Sequence, residues 1–554
     1  MVIKMNSNFQ VVLINPTNGL IPTEFYAPTE HLGLAYLTAV LRKNSFPVKI
    51  IDAYALNLSY DEVVHYALAM NPRYIGITAE YNTIETAIKL IREFRSKNPE
   101  VHLALGGQHA TFSSLELFAD VLELDSIIRG EGELTIVEVV TRLSQGQDLT
   151  GVKGVYFRNK QGQIIKNCDR AAIENLDSLP FPARDTLEDC LAKGITPAIS
   201  ILTSRGCYAN CSFCNASKYF NLGGGRNWRS RSPESVVIEI QHLLELYQEK
   251  PIYEILYFND ENFIGPGEKG IQRAVKIAQE ILQRNLNIFF EIFCRADSFN
   301  GHEEAVKTLS KAGLISVLVG LESGYQKGLN NFGKGTTVNQ NLNTIELFKK
   351  YNIITSSSGF LMFNPYSTFE ELEQNAKFLL AIGMATLYNM SLRVLGYPGI
   401  RMVKILENEG LLAPDFGHLN VSSYRFKDSR ISVLVEALNF DYSLGRKEDA
   451  AHRYLDFMIT NIDRKVAKIK LDNEQESEVI RLKSKVNDLC FKANLVTYNF
   501  FIKALMICEN NWGQEVFEKL INKYKIEIAE ALEEMNNGFV EYLGGLDEIL
   551  AQDN

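Results

Sequence analysis

The sequence predicts an α/β chain built of two successive strand–helix blocks and closed by an all-α block. Three observations carry that reading. Residues 9–146 alternate short apolar runs with amphipathic stretches, residues 196–396 repeat the alternation about six times, and residues 397–554 carry few strand signals. A length of 554 residues exceeds what a single core accommodates. A composition with 46% hydrophobic and 22% charged residues is that of a globular protein with ample core material. The 57 basic and 67 acidic side chains leave a net charge of −10, so a small molecule or a peptide is the expected partner and a phosphate backbone is not.

In the first block the strand-like segments are QVVLIN, PVKIIDA, YIGITAE, VHLALGG and DSIIRG, separated by helical patterns such as HLGLAYLTAVLRKN. Val/Ile-rich strands each followed by a helix imply a parallel sheet covered on both faces. Ligands of such sheets bind outside the carboxyl ends of the strands. Those ends read NPTNG, DAY, TAEYN, GGQHAT and RGEGE, where glycines and small polar residues let a backbone approach a ligand closely. Residues 147–195 break the rhythm with a hairpin-like GVKGVYFRNKQGQIIKN and a proline-marked linker, LDSLPFPARDTL.

The second block has strand signals at PAISILTS, YEILYFND, IFFEIFCRAD, SVLVGLES, TSSSGFLMFN and LYNMSLRVL. Six units suit a partial barrel. In EIFCRAD, Glu291, Phe293 and Arg295 share one face while Ile292 and Cys294 share the other. An acid and an arginine on an inner face line a site. The expected domains are therefore 1–146, a linker at 147–195, a barrel at 196–414 and a helical domain at 415–554. The opening MVIKMNSNFQVVLINPT has no charged-then-apolar leader, and no apolar run is long enough to span a membrane. A cytoplasmic location with reduced thiols is expected.

Three of the eight cysteines fall in SRGCYANCSFCNAS, at Cys207, Cys211 and Cys214. Thiolates select zinc, copper(I) or iron–sulfur clusters. A structural zinc site wants four ligands, usually as two C-x-x-C pairs. No second pair exists, and zinc would have to recruit Cys168 or Cys190 from the linker. A cubane cluster held by three thiolates instead leaves one iron open, able to chelate a ligand through an amine and a carboxylate. S-adenosylmethionine (SAM) offers that pair.

The loop in its strand–helix context resembles the radical SAM superfamily. The resemblance implies a 4Fe–4S cluster on Cys207, Cys211 and Cys214, with Phe213 flanking the SAM adenine. It places Arg295 of FCRAD at the SAM carboxylate and Glu322 of VGLESG near the ribose. Asp260 and Glu261 of FNDENF stand where the family carries a GGE-like motif for the SAM amine; the motif itself differs here.

The first block resembles the cobalamin-binding domain that precedes many radical SAM barrels. The resemblance puts Gly106, Gly107 and Gln108, with Gly130 and Glu131, against cobalamin. Asn15, Pro16, Thr17, Thr78, Glu80 and Tyr81 complete the rim. A histidine that ligates cobalt in such domains sits in D-x-H-x-x-G, but His31 has Thr29 and Gly33 as neighbours. His31 is expected to start a helix instead, and His109 to serve as a hydrogen-bonding residue.

The chain is thus identified as a member of the cobalamin-binding, class B radical SAM enzymes. The implied fold is a Rossmann-like cobalamin-binding domain, a partial (β/α)6 radical SAM barrel and a C-terminal all-α domain closing the site. The implied function is methyl transfer to an unactivated carbon or phosphorus, through a deoxyadenosyl radical and methylcobalamin. The implied cofactors are the 4Fe–4S cluster, SAM and cobalamin, and the implied electron donor is a flavodoxin or ferredoxin. Two alternatives stand beside it: a cyclisation or rearrangement with the same cofactors, and a non-catalytic cobalamin sensor with a structural metal.

Overall fold

The computed structural model describes residues 9–17, 27–356, 359–466, 471–510 and 513–551. The first sheet takes strands β1 (Val11–Asn15), β2 (Val48–Asp52), β3 (Tyr74–Thr78), β4 (His102–Gly106) and β5 (Ser126–Ile128). It continues into β6 (Val155–Arg158) and β7 (Ile164–Lys166). The spatial order is β2-β1-β3-β4-β5-β6-β7. The first five strands are parallel, and the hairpin expected in the linker pairs antiparallel onto β5.

Alternation along the strands divides the core into two faces. Leu13, Tyr74, Ala104 and Ile128 pack with Leu34, Leu41, Ile136 and Val140 from the helices Leu32–Lys43 and Glu133–Ser144. Val12, Ile14, Ile75 and Ile77 face the helices Tyr60–Ala69 and Ile84–Lys97. The strand order reverses between β1 and β3. At that switch point the helices on either side diverge, and a crevice opens at the carboxyl ends.

The second unit begins with β8 (Ser200–Ile201), followed by a two-stranded ribbon of β9 (Ser204–Gly206) and β10 (Trp228–Ser230). Strands β11 (Ile255–Phe258), β12 (Phe289–Arg295), β13 (Leu314–Gly320) and β14 (Ile354–Ser356) then add in chain order, all parallel. The sixth strand read from LYNMSLRVL is instead the short helix Leu387–Ser391, followed by a single bridge from Phe363 to Arg393. Thr386 explains the difference. Its hydroxyl accepts from the Asn389 amide at 3.3 Å and caps a helix start that the apolar pattern alone conceals.

The chain ends in three long helices, Tyr442–Val466, Asn473–Glu509 and Gln514–Ala551. Buried Glu448 joins them to the barrel. Its carboxylate accepts from the Leu387 amide at 2.8 Å, the Thr497 hydroxyl at 2.6 Å and the Tyr524 hydroxyl at 3.2 Å. Among the described residues no helix is long and apolar enough to cross a membrane.

Burial raises the Glu448 carboxyl from 4.5 to about 7. The folded state therefore holds this proton more tightly than the unfolded chain. That contribution to stability is complete below pH 4.5 and is lost as pH rises through about 7. Glu448→Gln is expected to remove this loss. The urea midpoint of the variant should gain on the wild type across that window and run parallel to it outside.

Candidate active site

The carboxyl ends of the two parallel sheets face one cleft. A cavity of about 380 Å³ is lined on one side by Thr78, Gly107 and Gly130, and on the other by Leu202, Asn259 and Glu261. It runs inward between the first sheet and the helices Leu32–Lys43 and Glu133–Ser144, as far as Tyr74 at the start of β3. Gly76 keeps this slot open. A Cβ there would lie 3.0 Å from both Leu13 Cδ2 and Tyr74 Cε1. Ala104 opposite adds no bulk. An apolar slot beneath a rim of backbone amides and polar side chains fits an amphipathic ligand with a flat tail and an amide-fringed body, which is the chemistry of cobalamin.

Of the residues expected against cobalamin, Thr78, Glu80, Gly106, Gly107, Gln108, Gly130 and Glu131 line this cavity. Others in the expected rim do not. Pro16 and Thr17 line a separate hollow with Ser59 and Lys89, and the Asn15 amide donates to Asp52 at 2.8 Å. None of these three lines the cofactor cavity; their contacts lie on the β2 side of the sheet. Tyr81 is exposed and meets Tyr397 edge-on with ring centroids 5.2 Å apart.

Glu80 from the first unit and Glu261 from the second share the rim. Gln108 donates to Glu261 at 3.5 Å. Desolvation, with the neighbouring Glu261 charge, raises the Glu80 carboxyl to about 7. His31 is at the cavity wall, but both ring nitrogens are engaged. Nδ1 accepts from the Leu34 amide at 3.1 Å, and Nε2 lies 3.4 Å from the Thr78 hydroxyl. It caps a helix, as the sequence suggested. His109 is buried beside His418, ring centroids 6.5 Å apart, and does not line the cavity.

Glu131, besides lining the cavity, is held in an ion network. Its carboxylate accepts from Arg205 Nη1 at 2.9 Å, from Arg229 Nη1 at 3.0 Å and from the Ile173 amide at 2.7 Å. Glu133 takes the other arm of the Arg205 fork at 2.5 Å. Burial opposes ionisation of Glu131, yet Arg205 and Arg229 hold its carboxyl below the ordinary value. Arg205 and Arg229 face each other across the β9–β10 ribbon, so this network fastens the RGEGE turn to the strand that leads into Cys207. Sequence reasoning missed Arg205, Arg229 and Gly76. The isolated glycine inside YIGIT was the available signal for the slot.

Cys207, Cys211 and Cys214 leave β9 on one loop that ends in the helix Ala216–Tyr219. Gly206 makes the exit possible: its φ is +82°, and a Cβ would strike the Asn227 carbonyl oxygen at 2.1 Å. Each sulfur faces a nitrogen donor. Asn262 Nδ2 lies 4.0 Å from Cys207, Arg295 Nη1 lies 3.9 Å from Cys211, and the Ala216 amide lies 3.5 Å from Cys214. Burial raises the thiols of Cys207 and Cys214, the latter to about 12. Among the described residues no three thiol, imidazole or carboxylate groups already converge at metal-binding distance. The fit to an iron–sulfur cluster lies in the donor set: three soft thiols on one loop, ringed by N–H groups.

The residues expected around SAM divide. Phe213 packs edge-on against Phe332 at 5.3 Å beside the cysteines. Arg295 forks onto Asp297 at 2.9 and 3.1 Å and donates to the Lys334 carbonyl at 2.7 Å, leaving its Nη1 turned to Cys211. Glu322 sits at φ +61°, a costly conformation for a residue with a Cβ. It pairs with buried Lys334 at 2.6 Å. Asp260 is not available to a ligand. It is fully buried and accepts from the Thr203 and Ser204 amides at 2.6 and 2.9 Å, tying β11 to the β8–β9 connection. In the same motif, Asn262 Oδ1 is buried without a partner, next to Cys207.

Comparison with known proteins gives two family matches: the B12 binding domain over residues 20–140 and the Radical SAM superfamily over residues 201–379. An uncharacterized methyltransferase of Pyrococcus horikoshii is 31% identical over 394 residues, 71% of this chain and 82% of its own. The anaerobic magnesium-protoporphyrin IX monomethyl ester cyclase of Rubrivivax gelatinosus is 29% identical, covering 62% of this chain and 60% of its own. The 4'-phospho-dehydrooxetanocin synthase of Priestia megaterium is 26% identical over 68% and 52%. Among solved structures, the cobalamin-dependent SAM radical enzyme OxsB with aqua-cobalamin and SAM bound shares the fold. Its TM-score is 0.70 at 19% identity, over 98% of this chain and 84% of that one. The radical SAM methyltransferase TsrM from Kitasatospora setae aligns with a TM-score of 0.56 at 21% identity, over 72% and 76%.

Removing the Arg205 fork leaves Glu131 and Glu133 buried without it. Arg205→Ala is expected to destabilise the docking of the two units by about 3–5 kcal/mol. Urea unfolding followed by tryptophan fluorescence and limited proteolysis of the 147–195 segment reads this loss. Arg205→Lys, which keeps the charge without the fork, should recover only part of it.

Proposed function

Because the chain belongs to the cobalamin-binding radical SAM enzymes, with a 4Fe–4S cluster, SAM and cobalamin as cofactors, we propose that it is a methyltransferase acting on an unactivated carbon or phosphorus. The observation that carries this reading is the single cleft. Leu202, Asn259 and Glu261 of the second unit line the same cavity as the glycine-rich strand ends of the first sheet, and the Glu261 charge reaches Cys214 of the three-cysteine loop, so a methyl donor and a radical source would meet one substrate. The Pyrococcus horikoshii relative, named a methyltransferase, supports it.

When bound, SAM on the cluster supplies a deoxyadenosyl radical and cobalamin supplies a transferable methyl group. Cys207, Cys211 and Cys214 would hold the cluster, with Phe213 at its side. Arg295 and Lys334 set two buried positive charges against Cys211. That placement favours an anionic cluster. In the FNDENF motif the acceptors left for the SAM ammonium are Glu261 at the rim and the unpartnered Oδ1 of Asn262. Glu322, held by Lys334, would face the ribose. Thr78, Gly106, Gly107, Gln108 and Gly130 would seat cobalamin, with His31 at the wall held by the Leu34 amide and the Thr78 hydroxyl. The enzyme's substrate is a small molecule or peptide, its electron donor a flavodoxin or ferredoxin, and its compartment the cytoplasm.

A second reading, ring closure or rearrangement with the same cofactors, is supported by the relatives named cyclase and synthase. Mass spectrometry separates the two: a product heavier by one CH2 supports methylation, whereas an isomer or dehydro product supports the second reading. Anaerobic reconstitution with iron, sulfide and hydroxocobalamin is expected to give deoxyadenosine from SAM. Cys→Ala at 207, 211 or 214 should abolish that cleavage and leave cobalamin binding intact.

Asn262→Ala is expected to weaken SAM binding by about tenfold, the scale of one charge-assisted hydrogen bond. Iron content should be unchanged. Equilibrium binding of SAM to the reconstituted protein measures the first and a colorimetric iron assay the second.

A further inference from the structure

The inner face of the second sheet is not a dry core. Strand pairing puts Ser200, Tyr257, Glu291, Ser316 and Ile354 in one layer across β8, β11, β12, β13 and β14. A barrel interior that serves packing alone is filled with branched apolar side chains. Four of these five are polar, and one is a carboxylic acid. The layer borders a cavity of about 680 Å³, within the range of small-molecule sites.

This cavity lies away from the cofactor cleft. Glu291 precedes Arg295 on β12 by four residues, roughly 13 Å along the strand, and Arg295 is the residue turned to Cys211. The far side is closed by the helix Tyr442–Val466, through Arg453, Tyr454 and Phe457. The expected closure of the cofactor site by the C-terminal helices is therefore not what this helix provides: it covers the opposite mouth, and among the described residues none beyond Glu261 lines the cofactor cavity.

The walls carry a consistent chemistry. Glu291 has one short partner, the Ser316 hydroxyl at 2.6 Å. Tyr253 and Tyr257 present parallel rings with centroids 6.4 Å apart, and Phe457 stands 6.5 Å from Tyr253. Arg453 is the cation on this wall: its charge acts on Glu291 and opposes the effect of burial there, and Asp449 on its own helix lies 4.0 Å from it, so an organic ammonium would share Glu291 with Arg453. Aromatic faces around a carboxylate recognise an organic ammonium, through the ring quadrupoles and a charge-assisted hydrogen bond. We propose that the amino-terminal mouth of the barrel is a second ligand site, for an organic ammonium carried on an aromatic body, with Glu291 as its counter-ion. The inference does not depend on which reaction the cofactor cleft performs.

Isothermal titration of the reconstituted holoenzyme with phenethylammonium and with 3-phenylpropionate tests it. The ammonium should bind with SAM still binding alongside, and the carboxylate should not bind. Glu291→Gln should weaken the ammonium by about tenfold. This variant keeps the side-chain volume and removes a desolvated charge, so its melting temperature should not fall. Ala450→Trp, which fills the cavity from the helix side with Glu291 intact, should abolish binding. No ammonium binding, binding indifferent to either variant, or equal binding of the two probes would overturn the proposal.

Discussion

The structure depends first on one buried ion network, in which Arg205 and Arg229 on the β9–β10 ribbon clasp Glu131 and Glu133 of the RGEGE turn. All four side chains are withdrawn from water. Such an arrangement is tolerable only when every charge finds its partner, since desolvation exceeds the attraction of a poorly matched pair. The two units therefore dock in one register. That register fixes the distance between Gly130, on the floor of the cofactor cavity, and Cys207, two residues beyond Arg205. A second buried network, Arg184 between Glu30 and Glu239 with Arg231 behind, fastens the linker to both units on the same side.

Docked this way, two parallel sheets point their carboxyl ends at each other. Each sheet alone would present an open crevice to solvent. Together they enclose a slot that is apolar at depth and polar at the rim, with Asn259, Glu261 and the Arg205 guanidinium on one wall and Thr78, Gln108 and the glycine-rich strand ends on the other. A radical reaction needs such exclusion of water and a fixed approach of reacting groups. The C-terminal helices contribute from the other end. They pack on the barrel through Glu448 and seal its amino-terminal mouth rather than its cofactor mouth.

Much of this was legible in the sequence. The three-cysteine loop, the glycine-rich strand ends and the two strand–helix blocks depend on local spacing, which a sequence displays directly. What was not legible depends on partners distant in sequence. Asp260 reads as a candidate ligand for a cation, but two amides 57 and 56 residues away donate to its Oδ1 and the Thr203 hydroxyl to its Oδ2. Glu131 reads as a rim residue, and arginines from the other unit claim it. Asn15, Pro16 and Thr17 stand at a strand end like the others, yet Asn15 is engaged by Asp52 and Pro16 and Thr17 line a different hollow. The apolar run LYNMSLRVL had strand composition; a threonine cap made it helical.

The central claim is that one cleft, set by the Arg205 network, brings cobalamin and the cluster together. Its most direct test is electron paramagnetic resonance of the reduced holoenzyme, in which cob(II)alamin and the one-electron-reduced cluster are both paramagnetic. A resolved magnetic interaction between the two spins, diminished in Arg205→Ala, is the predicted result. Two independent spectra that simply add would contradict the account.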